Sequence, residues 1–354
     1  MIGIVLMASV AALVAPVTGT LGYRRLKQVR NARLMRITTP NGINEQDFVR
    51  IGGIDQWISI RGEDRNNPVL LELHGGPGSS NSIYGARTRP WEKHFTIVRW
   101  DMRGTGKTLG RTGADGPAEP SFDRIHEHAL EVTQHVRARL GVDRVILVAN
   151  SFGTVFGLRL ARQHHHLYSA YVGTDQNIHA GSRDDSARQA LLARLRAAGK
   201  RKDAATVEEM GPDVRTWTAE QHAALAKLTV TSDPLTFETM KTVVVRSLWF
   251  SPLHSLRELG QFFKGMKLSE RIIPGTAAFD DWADGTRFDL PFFIFHGDQD
   301  VFTTPELAKR FFDDVQAPVK DFALITDAGH FASFRHPDQF LTLMLTKVRP
   351  AITG

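Results

Sequence analysis

A run of aliphatic residues, Val145 to Val148, passes without a turn signal into Ala149-Asn150-Ser151-Phe152-Gly153. The run reads as a strand buried on both faces. Small-x-Ser-x-Gly is the spacing of a sharp strand-to-helix turn that carries a serine at its tip. Such a turn leaves no room for bulk two residues before or after the serine, and Ala149 and Gly153 supply the small side chains. A strand buried on both faces needs neighbours on either side and helices above and below. This one stretch therefore constrains the fold more than any other.

The rest of the chain supplies those neighbours. Asp47 to Ile60 reads as two strands turning at Gly52-Gly53, where both glycines accommodate the positive φ of a two-residue hairpin. Pro68–Leu73 and Phe95–Trp100 are short apolar runs ending in His74-Gly75-Gly76-Pro77-Gly78 and Asp101-Met-Arg-Gly-Thr-Gly-Lys-Thr108. Ser121 to Leu140 has helical spacing at Ile125, Ala129, Val132, Val136 and Leu140, with Gly141 as its stop. Strands alternating with helices imply an α/β fold with a mainly parallel sheet and helices on both faces. From Ile178 to Thr286 the texture changes to Ala, Arg, Leu and Lys, with helical patterns at Ser186–Ala198, Ala219–Leu228 and Leu235–Leu248 and no convincing strand. The strand pattern resumes with Leu290–His296, followed by a helix at Pro305–Val315, a strand at Asp321–Thr326 and a helix at Pro337–Val348. The expected organisation is a core of residues 37–177 and 287–354, a helical cap of residues 178–286, and an N-terminal segment of residues 1–36.

Residues 1–22 carry no charged side chain, and six basic residues between Arg24 and Arg36 follow. As a helix of about 1.5 Å per residue, the segment would reach roughly the 30 Å of a hydrocarbon core. A membrane anchor with a cytoplasmic catalytic domain is the preferred expectation, because basic residues stay on the cytoplasmic side. A cleaved leader or a peripheral helix, giving a cytoplasmic or exported protein, stays open; Pro16, Gly19 and Gly22 weaken the span. Over the whole chain the net charge is +6, and its basic residues are mostly scattered among acids, which argues against a nucleic-acid partner. With no cysteine there is neither disulfide nor thiolate chemistry.

A serine is a weak nucleophile until a base takes its proton, and that base needs an acid to hold its tautomer. In chain order the sequence offers Ser151, Asp298 or Asp300 in the turn after one predicted strand, and His330 in the loop after the last. Each lies at the carboxyl end of a predicted strand, where ligands of such sheets bind. Asp300 is preferred as the acid because it sits at the turn apex before Val301-Phe-Thr-Thr-Pro305, with Asp298 closing the turn. An oxyanion needs backbone donors: Phe152 follows the serine, and Gly75 and Gly76 free the amides of the loop after His74. Asp101, Arg103 and Gly104 read as a buried polar turn bracing that loop. Successive helical residues point about 100° apart, so His164-His165-His166 reads as a solvated helix end rather than a metal site. The aromatics Trp217, Phe237, Trp249, Phe250, Phe262 and Phe263 read mainly as cap core.

His74-Gly-Gly-Pro-Gly78, Trp100-Asp-Met-Arg-Gly-Thr-Gly106, Asn150-Ser-Phe-Gly153, His296-Gly-Asp-Gln-Asp300 and Asp327-Ala-Gly-His330 together resemble the α/β-hydrolases of the proline iminopeptidase (S33 peptidase) family. The resemblance implies Ser151 as nucleophile, Asp300 as acid, His330 as base and an oxyanion hole at Gly76 and Phe152, with no cofactor or metal. It further implies an acyl-enzyme hydrolase of small-molecule or short-peptide substrates, of aminopeptidase type. A carboxylesterase or lipase-like enzyme is the alternative, and a non-catalytic ligand-binding protein lies behind both. The chain departs from the family's Gly-Gly-Ser-Trp-Gly elbow at Ala149, Asn150 and Phe152. None of the cap glutamates Glu208, Glu209, Glu220, Glu238, Glu258 and Glu270 can be matched to the family's amine-binding residues.

Overall fold

The computed structural model describes residues 2–113, 121–180 and 185–353, with side chains from residue 18 onward apart from those of residues 274, 277 and 278. After a long N-terminal helix α1 (Ile2–Leu34) come β1 (Ile43–Ile51), β2 (Ile54–Gly62), β3 (Val69–Leu73) and β4 (Thr96–Trp100). These are followed by α2 (Gly106–Thr112), α3 (Phe122–Leu140), β5 (Val145–Asn150), α4 (Gly153–Gln163) and β6 (Tyr168–Thr174). The eight strands form one sheet in the order β1-β2-β4-β3-β5-β6-β7-β8, where β7 is Phe292–Gly297 and β8 is Lys320–Ile325. β1, β2 and β4 pair antiparallel, while all pairs from β4 through β3 and β5 to β8 are parallel. β3 has β4 on one side and β5 on the other, so the winding reverses there, and ligands of open sheets bind at such a switch.

Two apolar layers sandwich the sheet. Ile125, Val132 and Val136 of α3, Phe156 and Leu160 of α4, and Phe311 cover one face. Tyr84, Trp91, Phe334, Phe340, Met344 and Val348 cover the other. The charges inside strands β3 and β4 are paired: Arg99 donates to both oxygens of Glu72 at 3.0 and 3.2 Å and to Thr88 at 2.8 Å. α3 starts at Ser121, whose hydroxyl accepts the Arg124 amide, and ends at a left-handed Gly141.

Between β6 and β7 lie α5 (Ser186–Ala197), α6 (Arg201–Glu209), α7 (Ala219–Ser232), α8 (Pro234–Thr239), a π-turn at Met240–Val245 leading into α9 (Arg246–Phe250), and α10 (Leu256–Ser269). α11 (Pro305–Asp314) joins β7 to β8; α12 (Ala332–Arg335), α13 (Pro337–Leu343) and α14 (Arg349–Thr353) close the chain. Neither α6 nor α10 is expected from the helical patterns above. α10 carries a sequence signal all the same, a capping box in which Ser255 and Glu258 exchange hydrogen bonds. Not all the aromatics expected in a cap core are there: Phe262 and Trp217 are buried, but Phe237 and Phe263 are more than half exposed. A short amphipathic helix buries one stripe, and these two rings fall outside it.

The basic stretch after residue 22 is not a uniformly solvated face. Arg24 and Gln28 are buried. Arg24 donates to the carbonyls of Trp249 (3.0 Å) and His254 (2.6 Å), Gln28 to those of Ser251 (2.8 Å) and His254 (3.1 Å), and Asn31 to that of Phe250 (3.0 Å). Among the described residues no helix is long and apolar enough to cross a membrane. The side chains of residues 1–17, on which the anchor expectation chiefly rests, lie outside those described.

Candidate active site

Ser151 stands between β5 and α4 with φ 49°, in the left-handed region that a residue with a Cβ enters at a cost. The turn is held by the Ser151 amide donating to the Thr174 carbonyl (2.9 Å) and the Thr154 amide donating to the Ser151 carbonyl (2.9 Å). The small residues have definite contacts. A Cβ on Gly153 would overlap the Leu73 carbonyl and stand 2.8 Å from that of His74. Ala149 is accommodated because the residue facing it, Gly157, has no side chain; a Cβ there would lie 2.7 Å from that of Ala149. Asn150, a departure from the family elbow, bonds the Thr174 hydroxyl and accepts from Asn81 (2.8 Å), tying the elbow to the loop after β3.

The fold brings Ser151, Asp300 and His330 together. His330 Nε2 lies 2.8 Å from Ser151 Oγ, and Nδ1 lies 2.8 Å from Asp300 Oδ2. A carboxylate only accepts, so Nδ1 carries the proton and Nε2 is left as the acceptor for the serine hydroxyl. Asp300 is almost fully buried and also accepts from the amides of Phe302 (2.8 Å) and Thr303 (3.1 Å) and the Thr303 hydroxyl (2.8 Å). Burial would raise its pKa, but the charge and hydrogen bond of His330, with help from His296, hold it well below the usual carboxylate range. Burial would likewise lower His330, but the Asp300 charge and hydrogen bond, reinforced by Asp175, raise it to about 9. His296 accepts the Gln176 amide at Nδ1 (3.1 Å), so its Nε2–H donates to the Thr303 carbonyl (2.6 Å) and locks the acid loop.

Asp298 occupies a different place. Its oxygens accept the amides of Ala328 (3.0 Å) and Asp327 (3.3 Å), so it clamps the turn after β7 to the loop that bears His330. Two residues sit there in the left-handed region, Asp327 (φ 57°) and Phe331 (φ 68°), on either side of His330. With Ser151 and Asp175 they are the four positive-φ residues other than glycine among those described. Strain of this kind gathers at functional sites.

The glycine loop packs on the elbow. A Cβ on Gly75 would be 2.9 Å from the Asn150 carbonyl and 3.0 Å from the Ser151 Cβ. Gly76 has φ 122°, and among the described residues the amides of Gly76 and Phe152 have no hydrogen-bond acceptor. His74 is buried and its pKa is lowered to about 4 by burial; its Nε2 accepts the Met102 amide (3.2 Å). Asp101 braces the loop through the Ser80 hydroxyl (2.5 Å) and turns the chain through the Lys107 amide (2.7 Å). Burial raises Asp101 to about 6 against those two hydrogen bonds. Arg103 does not share in the bracing. Its Nη2 is buried without a partner, and the side chain lines a cavity of about 10 Å³ with Gly75 and Phe152. The turn is closed instead by Thr108, whose hydroxyl donates to the Asp101 carbonyl (2.6 Å) and accepts the Trp57 amide (2.9 Å).

A larger cavity of about 240 Å³ flanks the acid side, bounded by Phe302 and Thr303 from the core and by Arg188, Trp217, His222 and Leu225 from the inserted helices. Among the described residues Asp185 is the one carboxylate lining it, and both its oxygens are bonded to Arg188 at 2.6 Å. None of the six cap glutamates lines it. Glu258 pairs with Lys107 and Glu208 with Arg196 (2.6 Å). His164 caps α4 and is followed by a 3₁₀ turn at His165–Leu167. The group at metal-ligand spacing among the described residues is instead Asp175, Asp300 and His330, within 4.8 Å of one another. There His330 already spends one nitrogen on Asp300 and the other on Ser151. Asp175 escapes a reading of the sequence, since nothing near it marks it; only its place at the carboxyl end of β6 could have done so.

Residues 68–337 match the family of the alpha/beta hydrolase fold. The "Probable aminopeptidase YbaC" of Bacillus subtilis is 22% identical over 306 residues, which is 84% of this chain and 94% of that protein. Among solved structures, the proline iminopeptidase of Mycobacterium smegmatis superposes with a TM-score of 0.60 at 17% identity, covering 87% of this chain and 99% of the other. A thermophilic esterase from Thermogutta terrifontis superposes at 0.58 and 16% identity, over 87% and 99%. The elbow, the sheet order and the family match together show that the chain belongs to the alpha/beta hydrolase fold family.

Proposed function

We propose that the protein is a serine hydrolase that works through an acyl-enzyme. The observation that carries this is the unbroken line Asp300–His330–Ser151, with two hydrogen bonds of 2.8 Å. In the first half-reaction His330 Nε2 takes the hydroxyl proton as Ser151 Oγ bonds to the substrate carbonyl carbon. The oxyanion is met by the amides of Gly76 and Phe152. The tetrahedral intermediate collapses, the imidazolium protonates the leaving amine or alcohol, and Ser151 is left acylated. A water, deprotonated by the same nitrogen, then releases the acid.

The substrate is proposed to be a small amide of aminopeptidase type, on the strength of the relatives' names. A cavity of about 240 Å³ is small beside the roughly 300–1,000 Å³ of ordinary ligand clefts, which suits a single residue. A specific observation favours the second reading, an ester with an uncharged acyl group: Asp185, the carboxylate in that cavity among the described residues, is already neutralised by Arg188. A fluorophosphonate probe tests the shared chemistry, because it must label Ser151 and leave Ser151→Ala untouched. Prolyl and alanyl 4-nitroanilides against short-chain nitrophenyl esters then divide the two readings. Turnover of esters alone rejects the peptidase.

A further inference from the structure

Among the described buried polar atoms that lack a hydrogen-bond partner, one is a carboxylate oxygen. Asp175 follows β6, takes φ 49° and is 1% exposed. Its Oδ1 accepts the amide of Ala332 (3.1 Å), two residues beyond His330, while its Oδ2 is buried and has no partner. A carboxylate in that state is costly unless a positive charge arises beside it. One does: an oxygen of Asp175, an oxygen of Asp300 and a nitrogen of His330 lie within 4.8 Å of one another.

We propose that Asp175 is a second acid of this site, a positioning residue that faces His330 from β6, stabilises the imidazolium formed as Ser151 reacts, and sustains part of the activity when Asp300 is neutralised. The inference rests on the reading of Ser151, His330 and Asp300 given above. The two acids divide the work. Asp300 bonds Nδ1 and fixes the tautomer, and its oxygens are filled by His330, Phe302 and Thr303. Asp175 pins the backbone beyond His330 and otherwise acts through space. The other groups packed around the pair are not acids. Phe302 and Phe331 cover the imidazole with ring centroids at 5.0 and 4.9 Å, and His296 directs its Nε2–H to the Thr303 carbonyl. The phenol of Tyr84 interacts with Asp175 but stays protonated, because burial raises its pKa. Burial also raises Asp175, to about 6, with Asp300 adding to the shift and His330 and His296 opposing it. The neighbouring imidazoles of His330 and His296 favour its charged form.

Asp175→Asn separates charge from scaffolding, because the amide oxygen can still accept from Ala332. The wild type, D175N, D300N and the double variant are compared by the NMR titration of the His330 imidazole and by the pH dependence of Ser151 labelling with a fluorophosphonate. In D175N the His330 pKa is expected to fall by about half a unit or more, and the acid limb of labelling to move with it. D300N keeps a residual labelling rate that the double variant loses by about a further tenfold, a coupling expected of groups acting on one imidazole. An unmoved His330 titration in D175N, or a double variant labelling as fast as D300N, overturns the proposal. If the wild type fails to label, the nucleophile reading falls, while the His330 titration still decides the role of Asp175. Should D175N not fold, Asp175→Ser, which also retains an acceptor, is read in the same way.

Discussion

The sheet and the helices inserted after β6 meet at one cavity, yet they are built to different standards. β3, β4 and β5 are buried at every position, and the side chains on either face interlock with two large apolar layers. Among the described residues the inserted helices have a core of their own of five buried residues, Leu191, Leu192, Leu195, Ala204 and Val207, and one of their helical runs is broken by a π-turn. The rigid half holds all three proposed catalytic side chains, while the looser half contributes Arg188, Trp217 and His222 to the cavity wall. If that cavity receives the substrate, chemistry and selection are separable here, because a reacting geometry needs a stiffness that substrate fitting does not.

The largest effect expected is that of Ser151→Ala, which should lower kcat by about 10⁴-fold or more with little change in Tm. A loss under about a hundredfold would put the chemistry elsewhere and end the contrast between the halves. Phe156→Ala, in the sheet's packing, should cost about 3–5 kcal/mol in denaturant unfolding. If Leu195→Ala in the inserted helices destabilises the whole protein equally, the two halves unfold as one unit. A pH profile comes next. His330 must be neutral to act as base, and its pKa is raised, so kcat/KM should climb between pH 6.5 and about 9. Two units below such a pKa the rate is about a hundredfold under its plateau. Removing the Asp300 charge should carry the limb toward lower pH; a limb left in place would mean that another group sets it. Trp217→Ala, at the cavity wall, should raise KM about tenfold with kcat nearly unchanged, and a kcat loss instead would place this ring in the chemistry. The smallest effect belongs to Phe263→Ala, whose ring is mostly exposed; stability should stay within about 0.5 kcal/mol.

The same contrast explains what could be read in advance. Val145–Val148 and Pro68–Leu73 announce buried strands by continuous apolar sequence, and Gly52-Gly53 announces their hairpin turn, because both signals are local. The order Ser151, Asp300, His330 is legible because each residue closes a strand and the parallel sheet brings strand ends together. Asp175 closes a strand too, but its relation to His330 depends on the pairing of Asn150 with Thr174 and on the loop at Phe331, neither of which is written near it. Asp298 was expected within its own turn, and its bonds to Asp327 and Ala328 are equally non-local. α10 could have been found from Ser255 and Glu258, whereas α6 begins at Arg201 after Lys200, whose side chain makes no cap to mark it. Arg24 shows the limit of counting charges: it belongs to a run of six basic residues, and its guanidinium reaches two carbonyls inside the fold.

The docking of α1 has a practical consequence for anyone shortening this protein. His254, which the helix covers, bonds Ser251 (2.8 Å) and Ser82 (3.3 Å); Ser82 in turn meets Ser80 (2.7 Å), the partner of Asp101. A chain begun at residue 37 would strip the α1 donors from the carbonyls of Trp249, Phe250, Ser251 and His254 and leave water to replace them. The end of that chain of hydrogen bonds is the glycine loop beside Ser151. Trimming a terminus that looks dispensable would therefore register as a slower enzyme before it registered as an insoluble one.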